Sequence, residues 1–466
     1  MDTTLTSATE WAQTEFGGAE LGDQRRTVRL IRVAAALAEE AHGALPESFG
    51  EWAELKGAYR LVEQPDVRYE DILAPHRKRV LEGCNLEGEY LLVEDTTELD
   101  FSSHLAALDL GRIGDDHGRG LFLHSTLALR VERWNDSLEP EVTVLGLMGQ
   151  HWWARTAPTI GKGKERKQDR LRRKRESQRW AAVVGEVGRP PAGARWTFIA
   201  DRESDIYEVF ERCQDGFWDF LIRANRPRAL ADQSGLVSGA LTKSPVLGQF
   251  CVNLRSRPGR TGRKAKLEVR SCQVQLRGPL RPGHRPAPRS VNVVEAREID
   301  PPDGEEAIHW VLLTSWPVGC LKDAIRVVKA YTRRWLIEEY HKALKTGTGI
   351  EQSQLSTAGR ITALLGILAV VAVRLLNMKL LATTRPDDPV SPEELSPEAF
   401  EVLEAKFGRP KEGWTHRSTL RAVARLGGFI GRKSDGEPGW VVIWRGWRKL
   451  MLLTQGFDLA KEVRCG

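Results

Sequence analysis

Hydrophobic positions recur with a helical period at both ends of the chain, and the centre carries apolar runs typical of strands. Residues 1 to about 70 are predicted to be helical, with Asp23 capping the helix RRTVRLIRVAAALAEEA. From Tyr90 the pattern changes to runs rich in β-branched residues, which predict strands. The main runs are YLLVEDTTELDF, FLHSTLALRVER, VTVLGLMGQHWW, WTFIA and FWDFLIRAN. This pattern predicts a multidomain α/β protein with helical domains flanking a strand-rich centre.

Beyond these runs, the pattern divides the second half of the chain into three parts. Region 226–309 has strand-like pieces between turns rich in Pro, Gly and Arg and is predicted to be a β-rich insertion, after which WVLLTSW returns to the core. The apolar run 361–373, followed by Arg374 and Lys379, is short for a membrane span and is predicted to be a buried helix. A Pro-rich linker at 383–397 then leads to a small helical domain with an aromatic cluster: Trp414, Trp440, Trp444 and Trp447.

Segment 321–345, LKDAIRVVKAYTRRWLIEEYHKALK, is predicted to be one amphipathic helix with an unusual polar face. At about 100° per residue, four side chains lie within about 60° of one another: Tyr331, Arg334, Glu338 and Lys345. The opposite, core-facing side carries Leu336, Ile337, Tyr340, Ala343 and Leu344. A carboxylate between two cations suits a site in which the acid holds a metal and the cations hold phosphate. The alternative is a solvated face with i,i+4 ion pairs.

The composition of the chain narrows the classes of protein to which it can belong. At 466 residues, with 41% hydrophobic and 28% charged residues, the chain is expected to be a soluble globular protein of two to four structural units. The net charge is +6, with the excess clustered locally. The six cysteines are scattered without a C-x-x-C pair, which argues against a zinc ribbon or a disulfide framework. With no secretory signal in MDTTLTSATEW, we expect a cytoplasmic protein.

Two clusters of basic residues are candidates for phosphate contacts. Arg25, Arg26, Arg29 and Arg32 form a stripe near the start of the second predicted helix. Such a stripe indicates either a solvated face or nucleic-acid binding. The run GKGKERKQDRLRRKR at 161–175 is almost free of apolar residues and predicts a solvated loop able to lie against phosphates.

Two aspartates follow apolar strands: Asp95 comes after LLVE, and Asp201 comes after WTFIA. Such positions face outward from a sheet edge, where α/β folds place active sites. With Glu338 they make three carboxylates from separate elements. Magnesium sites use a few carboxylates together with substrate phosphate and water. A pair of ions held in this way can activate a water or 3′-hydroxyl for phosphoryl transfer.

The motifs around these acids resemble those of a known family. VEDTTELDF around Asp95, DRESD at 201–205 and YTRRWLIEEYHKALKTG from Tyr331 are similar to the three acidic motifs of bacterial DDE cut-and-paste transposases. The spacing Y-x2-R-x3-E-x6-K resembles the Y-R-E-K signature of the insertion-sequence-four group, and the chain is most similar to its transposon-five branch. The similarity runs from LGDQRRTVRL to ARLGGF and WRGW, nearly the whole chain.

The resemblance implies a role for each matching residue. Asp95, Asp201 and Glu338 would form the metal-binding catalytic triad of a ribonuclease-H-like core, with two Mg²⁺ ions that Mn²⁺ could replace. Tyr331, Arg334 and Lys345 would position the DNA end. Arg223 would contact its backbone, and Trp310 would stack on a flipped base. The run 161–175 matches no family motif.

The resemblance also implies the domain order and the partners. Residues 1–70 would bind double-stranded transposon-end DNA, 71–380 would catalyse, with 226–309 inserted, and 381–466 would form a homodimer. The expected reaction is end nicking by water, a hairpin intermediate and strand transfer by a 3′-hydroxyl into target DNA. Two alternatives remain: an end-binding regulator without catalysis, and a metal-dependent nuclease without strand transfer. The complete triad and Y-R-E-K set favour the transposase.

Overall fold

The computed structural model describes residues 7–40, 43–114, 117–155, 178–254, 262–279, 286–391, 395–432 and 435–465. The basic run at 161–175 lies outside the described residues. In this part of the chain a mixed α/β core is flanked by helical regions, as the hydrophobic pattern predicts.

The N-terminal region is helical, with α1 at Ala8–Phe16, α2 at Gln24–Glu39, α3 at Trp52–Val62 and α4 at Tyr69–Cys84. Asp23 caps α2 as predicted, because its carboxylate accepts a hydrogen bond from the Arg25 amide at 2.9 Å. The helices pack around buried apolar side chains such as Trp11 and Leu30. Helical structure continues to Cys84, beyond the predicted end of the first domain at residue 70.

Ten strands form one sheet among the described residues. They are β1 Gly88–Asp100, β2 Gly111–Ile113, β3 Gly118–Trp134, β4 Pro140–Trp153, β5 Ala194–Ala200, β6 Asp219–Arg223, β7 Val246–Leu254, β8 Arg263–Leu276, β9 Arg289–Glu298 and β10 His309–Thr314. The order is β2-β3-β1-β5-β6-β10-β9-β8-β7, with β4 also paired to β3. Strands β1, β5 and β6 run parallel to one another, whereas the other pairings are antiparallel.

The predicted β-rich insertion extends this same sheet. Strand β9 pairs with β10, β8 pairs with β9 and β7 pairs with β8, and one short helix, α7 at Val237–Lys243, packs near β8. The predicted return to the core is confirmed, because β10 pairs with β6 through Leu313 and Ile222. The insertion therefore shares its backbone hydrogen bonds with the strands beside the candidate site.

Helices cover both faces of the sheet. Helices α5, Arg179–Val187, and α6, Tyr207–Asp215, pack on one face. The other face carries α8, Leu321–Tyr331, then α9, Trp335–Lys342, and α10, Ala358–Thr384. Segment 321–345 is helical but not uniform, with a 3₁₀ turn at Thr332–Arg334 and a π-helical turn at Ala343–Gly347. At the 3₁₀ turn, the Thr332 hydroxyl donates to the Lys329 carbonyl at 2.6 Å and competes with the regular helical bond.

Helix α10 is buried as predicted, and it extends beyond the apolar run 361–373 at both ends. It has 27 residues and is long and apolar enough to cross a membrane, yet 94% of its most apolar stretch is buried inside the protein. The helix continues through Arg374 because the interior accommodates that side chain, whose guanidinium lies 5.2 Å from the centre of the Trp11 ring. Burial lowers the Arg374 pKa to about 10.

The C-terminal region is helical, with α11 at Pro397–Phe407, α12 at His416–Leu426 and α13 at Trp440–Cys465. Of the predicted aromatic residues, three tryptophans of α13 are buried in the main core, and Trp414, half-buried beside Phe400, packs against the same core. The buried three are Trp440, Trp444 and Trp447. Between α10 and α11, the predicted linker makes one β-bridge at Pro389, and residues 392–394 lie outside the described part.

Candidate active site

Strand register brings Asp95 and Asp201 together. Strands β1 and β5 are parallel neighbours, and Val93 is paired with Ile199. Asp95 lies two residues beyond Val93 and Asp201 two residues beyond Ile199, so both side chains are on the same face of the sheet. The prediction that Asp95 ends its strand is wrong, because β1 continues to Asp100 through its pairing with β3. Asp201 directly follows β5 and caps a 3₁₀ turn by accepting a hydrogen bond from the Glu203 amide at 2.8 Å. The two predicted acids are therefore neighbours in space.

Helix α9 brings Glu338 to the same face. Arg334, one helical turn earlier, hydrogen-bonds the Glu338 carboxylate and lies 3.6 Å from the Asp95 carboxylate. The i,i+4 ion pair considered in the sequence is thus present, but it sits among the acids rather than on a solvated face.

The pKa of Asp95 reflects its burial and the two other acids beside it. Burial is the main cause that raises the Asp95 pKa to about 6, and repulsion from Asp201 and Glu338 adds to it. Arg334 and the Thr96 amide, which donates at 2.8 Å, oppose the rise in that pKa without cancelling it. Excess negative charge therefore remains around Asp95, and a cation would relieve it.

The predicted exposure of Tyr331 is wrong. Its side chain is buried, with the ring packed edge-on against Trp310, 6.0 Å between centres. The cause is that α8 packs across the strands β6 to β10 of the sheet, which brings Tyr331 into contact with β10. Arg223 at the end of β6 donates to the His309 carbonyl at 3.1 Å, and it lies close enough to Tyr331 to oppose the rise in the tyrosine pKa that burial causes. Trp310 is half-buried.

Lys345 lies apart from the three acids. Its ammonium donates to the Glu98 carbonyl of β1 at 2.8 Å and pairs with Glu351 at 3.1 Å. It therefore extends the polar surface along β1, past Asp95.

The donor set suits a hard cation, but the side chains have not converged on one. Within the residues that the structure describes, no group of three or more His, Cys, Asp or Glu side chains forms a ready metal site. Arg334 stands between Asp95 and Glu338 and occupies the space that a shared ion would need. Three carboxylates from separate elements, with unrelieved repulsion at Asp95, nevertheless fit a divalent metal ion.

The N-terminal basic stripe is only partly available. Arg25, Arg29 and Arg32 are exposed on one face of α2, although Arg25 pairs with Asp23 at 2.7 Å. Arg26 turns away and donates to the Leu21 carbonyl at 3.0 Å. The Arg29 guanidinium lies directly over Gly57, where an added Cβ would come within 1.9 Å, so Gly57 allows α2 and α3 to form one surface.

Sequence analysis missed a set of buried polar residues behind the acids. Four of them are buried. Ser125, Gln150 and His341 lie between the sheet and α9, whereas His124 is on the far side of the sheet. A signal was present, because His-Ser-Thr at 124–126 interrupts the otherwise apolar strand β3. Buried polar side chains need partners, and such an interruption indicates a structured network.

Three protein-family models match successive parts of the chain. A transposase DNA-binding model matches residues 8–67, a transposase DDE-domain model matches 177–374, and a transposase Tn5 dimerisation-domain model matches 371–464. The DDE-domain match includes two of the three predicted acids, Asp201 and Glu338. DDE transposases generally use divalent metal ions. These matches to a transposase DNA-binding model, a transposase DDE-domain model and a Tn5 dimerisation-domain model, in that order along the chain, support a Tn5-like DNA transposase.

Proposed function

We propose that this transposase performs Mg²⁺-dependent cut-and-paste transposition: nicking at the transposon end, a hairpin intermediate and strand transfer by the freed 3′-hydroxyl. The observation that carries the proposal is that Asp95, Asp201 and Glu338 lie close together on one face of the sheet, beside cationic side chains. The strand order β4-β3-β1-β5-β6, antiparallel and then parallel, supports the ribonuclease-H-like core that the resemblance implies. The Y-R-E-K spacing supports membership of the insertion-sequence-four group.

Asp95, Asp201 and Glu338 would hold the metal, one or two ions. When bound, Mg²⁺ would supply activation of the attacking oxygen and stabilisation of the leaving oxygen in an in-line displacement. The protein's own part begins with Arg334, which must leave the space between Asp95 and Glu338. A guanidinium prefers bidentate contact with phosphate, so arriving DNA offers Arg334 an alternative partner.

The remaining side chains would hold the DNA end. Arg223 carries its charge beside Tyr331 at the open end of β6, where it can contact a backbone phosphate. Lys345 extends the cationic surface along β1. Arg29 and Arg32 would contact phosphates in the N-terminal domain, with Arg25 available once it leaves Asp23.

Trp310→Ala is expected to spare first-strand nicking and to slow hairpin formation by roughly 5- to 150-fold. The half-buried indole can stack on an extruded base, a contact of about 1–3 kcal/mol. Substrates that lack the end base should partly bypass the defect, because nothing then needs to be unpaired. Single-turnover assays on pre-nicked ends measure this step.

Trp316→Ala serves as the control, since Trp316 is buried just beyond the other end of the same strand and packs edge-on against Trp134. It should lower thermal stability without a selective loss of the hairpin step. If Trp310→Ala slowed nicking as much as hairpin formation, Trp310 would be a core residue and not a base-stacking one.

A surface of helix α13 is proposed to form the homodimer contact. Four apolar side chains lie within about 40° on this helix and are strongly exposed. They are Val441 at 46%, Leu452 at 54%, Leu459 at 62% and Val463 at 81%. An aligned apolar stripe on a dimerisation domain fits the same stripe of a second copy, because a two-fold contact is self-complementary. We call it the α13 stripe.

Joining of a 3′-hydroxyl DNA end to a plasmid tests the proposed function. The substrate carries the terminal repeat read from the flanks of the gene, already cut, and the purified full chain is supplied with Mg²⁺. Joined products that disappear with chelator support a transposase. Cleavage without joining would identify a nuclease, and binding without either reaction would identify an end-binding regulator.

A further inference from the structure

A network of hydrogen bonds lies beneath the candidate site and joins the elements that carry two of its acids. Ser125 of β3 is directly opposite Asp95 of β1 in the strand register. His341 is three residues beyond Glu338 on α9, and its Nε2 lies 3.2 Å from the Ser125 hydroxyl oxygen. Both side chains are buried. This contact therefore links the neighbour of one acid to the helix of the other.

Gln150 of β4 completes the network. Its amide nitrogen donates to the Ser125 hydroxyl and to the Tyr340 hydroxyl, both at 2.8 Å. Its carbonyl oxygen accepts from the Tyr69 hydroxyl of α4 at 2.7 Å. Both amide protons and the amide oxygen are thus occupied, which fixes the orientation of the Gln150 side chain. Ser125 is held from two sides, by Gln150 and by His341.

We propose that Ser125 and His341 are positioning residues that set the separation of Asp95 and Glu338. The proposal rests on the proposed function, because it assumes that these two acids share a metal ion. Residues that orient metal ligands from behind typically change metal affinity or activity by about 10- to 100-fold when they are replaced. Without the bond between Ser125 and His341, helix α9 keeps its apolar packing and its link to Ser125 through Tyr340 and Gln150, but it loses the direct bond from His341 to the strand beside Asp95.

The test compares Ser125→Ala and His341→Phe with His341→Gln, which keeps a hydrogen-bonding group within reach of Ser125. All are studied as full-length protein, with Mn²⁺ binding measured on the complex with pre-cut end DNA and nicking measured on uncut end DNA. We expect Ser125→Ala and His341→Phe to weaken Mn²⁺ binding, measured by calorimetry, and to slow nicking, each by about 10-fold or more. The dissociation constant for end DNA should change less than about 2-fold, and His341→Gln should restore much of the loss.

Tyr69→Phe is the matched control. It removes a buried hydroxyl from the same Gln150 amide, but on α4, which carries none of the three acids. It should lower the unfolding temperature about as much as Ser125→Ala while leaving Mn²⁺ binding and nicking unchanged. Equal loss of Mn²⁺ affinity in Tyr69→Phe, or unaltered Mn²⁺ affinity in Ser125→Ala, would overturn the positioning role. If Ser125→Ala does not fold, Ser125→Cys replaces it under the same criteria.

Failure of the inference is distinguishable from failure of the proposed function. If the wild-type protein cleaves and Glu338→Gln does not, while Ser125→Ala behaves like wild type, only the positioning role is lost. If Glu338→Gln cleaves normally, the metal-site assignment itself is lost.

Discussion

Replacing Glu338 by glutamine is expected to reduce DNA cleavage by roughly 10³-fold or more while leaving end-DNA binding intact. The substitution keeps the shape of the side chain but removes the charge that would hold metal between α9 and β1. Metal stabilisation of a phosphoryl-transfer transition state contributes several kcal/mol, and each 1.36 kcal/mol is about tenfold in rate. Asp95→Asn and Asp201→Asn should behave alike. Cleavage in single turnover and gel-shift binding measure the two properties separately.

Glu339→Gln is the control for Glu338→Gln, since it removes the same charge one residue further along α9. The Glu339 carboxylate pairs with Lys379 at 2.7 Å and accepts from the Trp440 indole at 3.0 Å. Burial alone would raise the Glu339 pKa, but the hydrogen bonds and charges of Lys379 and Lys342 outweigh burial and lower that pKa to about 2. Glu339→Gln should therefore reduce stability but preserve cleavage where the protein is folded. Cleavage by Glu338→Gln at the wild-type rate would refute the triad.

Charge placed on the α13 stripe is expected to dissociate the homodimer. A double variant, Leu452→Asp with Leu459→Asp, replaces two exposed leucines in each copy. Each buried leucine contributes about 1.5–3 kcal/mol, so dimer affinity should fall by roughly 10⁴-fold or more. Light scattering should find monomers, and gel shifts should retain the single-end complex but lose the complex that contains two ends.

Leu86→Asp provides the comparison for the α13 variant, because Leu86 is similarly exposed, at 56%, but lies in the turn between α4 and β1. It should leave the oligomeric state unchanged. A dimer that persists in the double α13 variant would place the contact on another surface of the C-terminal domain.

Much of the architecture could be predicted because its signals are local. The apolar runs that end in Asp95 and Asp201 identify two strands, and a helical period identifies the segment that carries Glu338. That the three acids meet was suggested by their positions after apolar strands and on the polar helix face, and the family resemblance supplied their roles. The pairing of Val93 with Ile199 that aligns the two aspartates depends on strands far apart in the chain.

The errors share a physical origin in tertiary contacts. A helical wheel places Tyr331 beside Glu338, but it carries no information about β10, against which the tyrosine packs. The apolar run 361–373 does not indicate that α10 continues to Thr384, because charged residues are rarely buried, whereas Arg374 is accommodated beside Trp11. The hydrogen bonds of Ser125 and Gln150 join β3, β4, α4 and α9, and no local pattern specifies such partners.

The order of strands in the sheet has a consequence for synthesis on the ribosome. Strand β6 cannot pair with β10 until the whole insertion between them has been translated. Glu338 emerges later still, on a helix that follows β10. A nascent chain can therefore expose the N-terminal DNA-binding helices long before the catalytic acids have met. Products of translation that stop before residue 338 would retain the region matched to a transposase DNA-binding model but would lack one of the three acids.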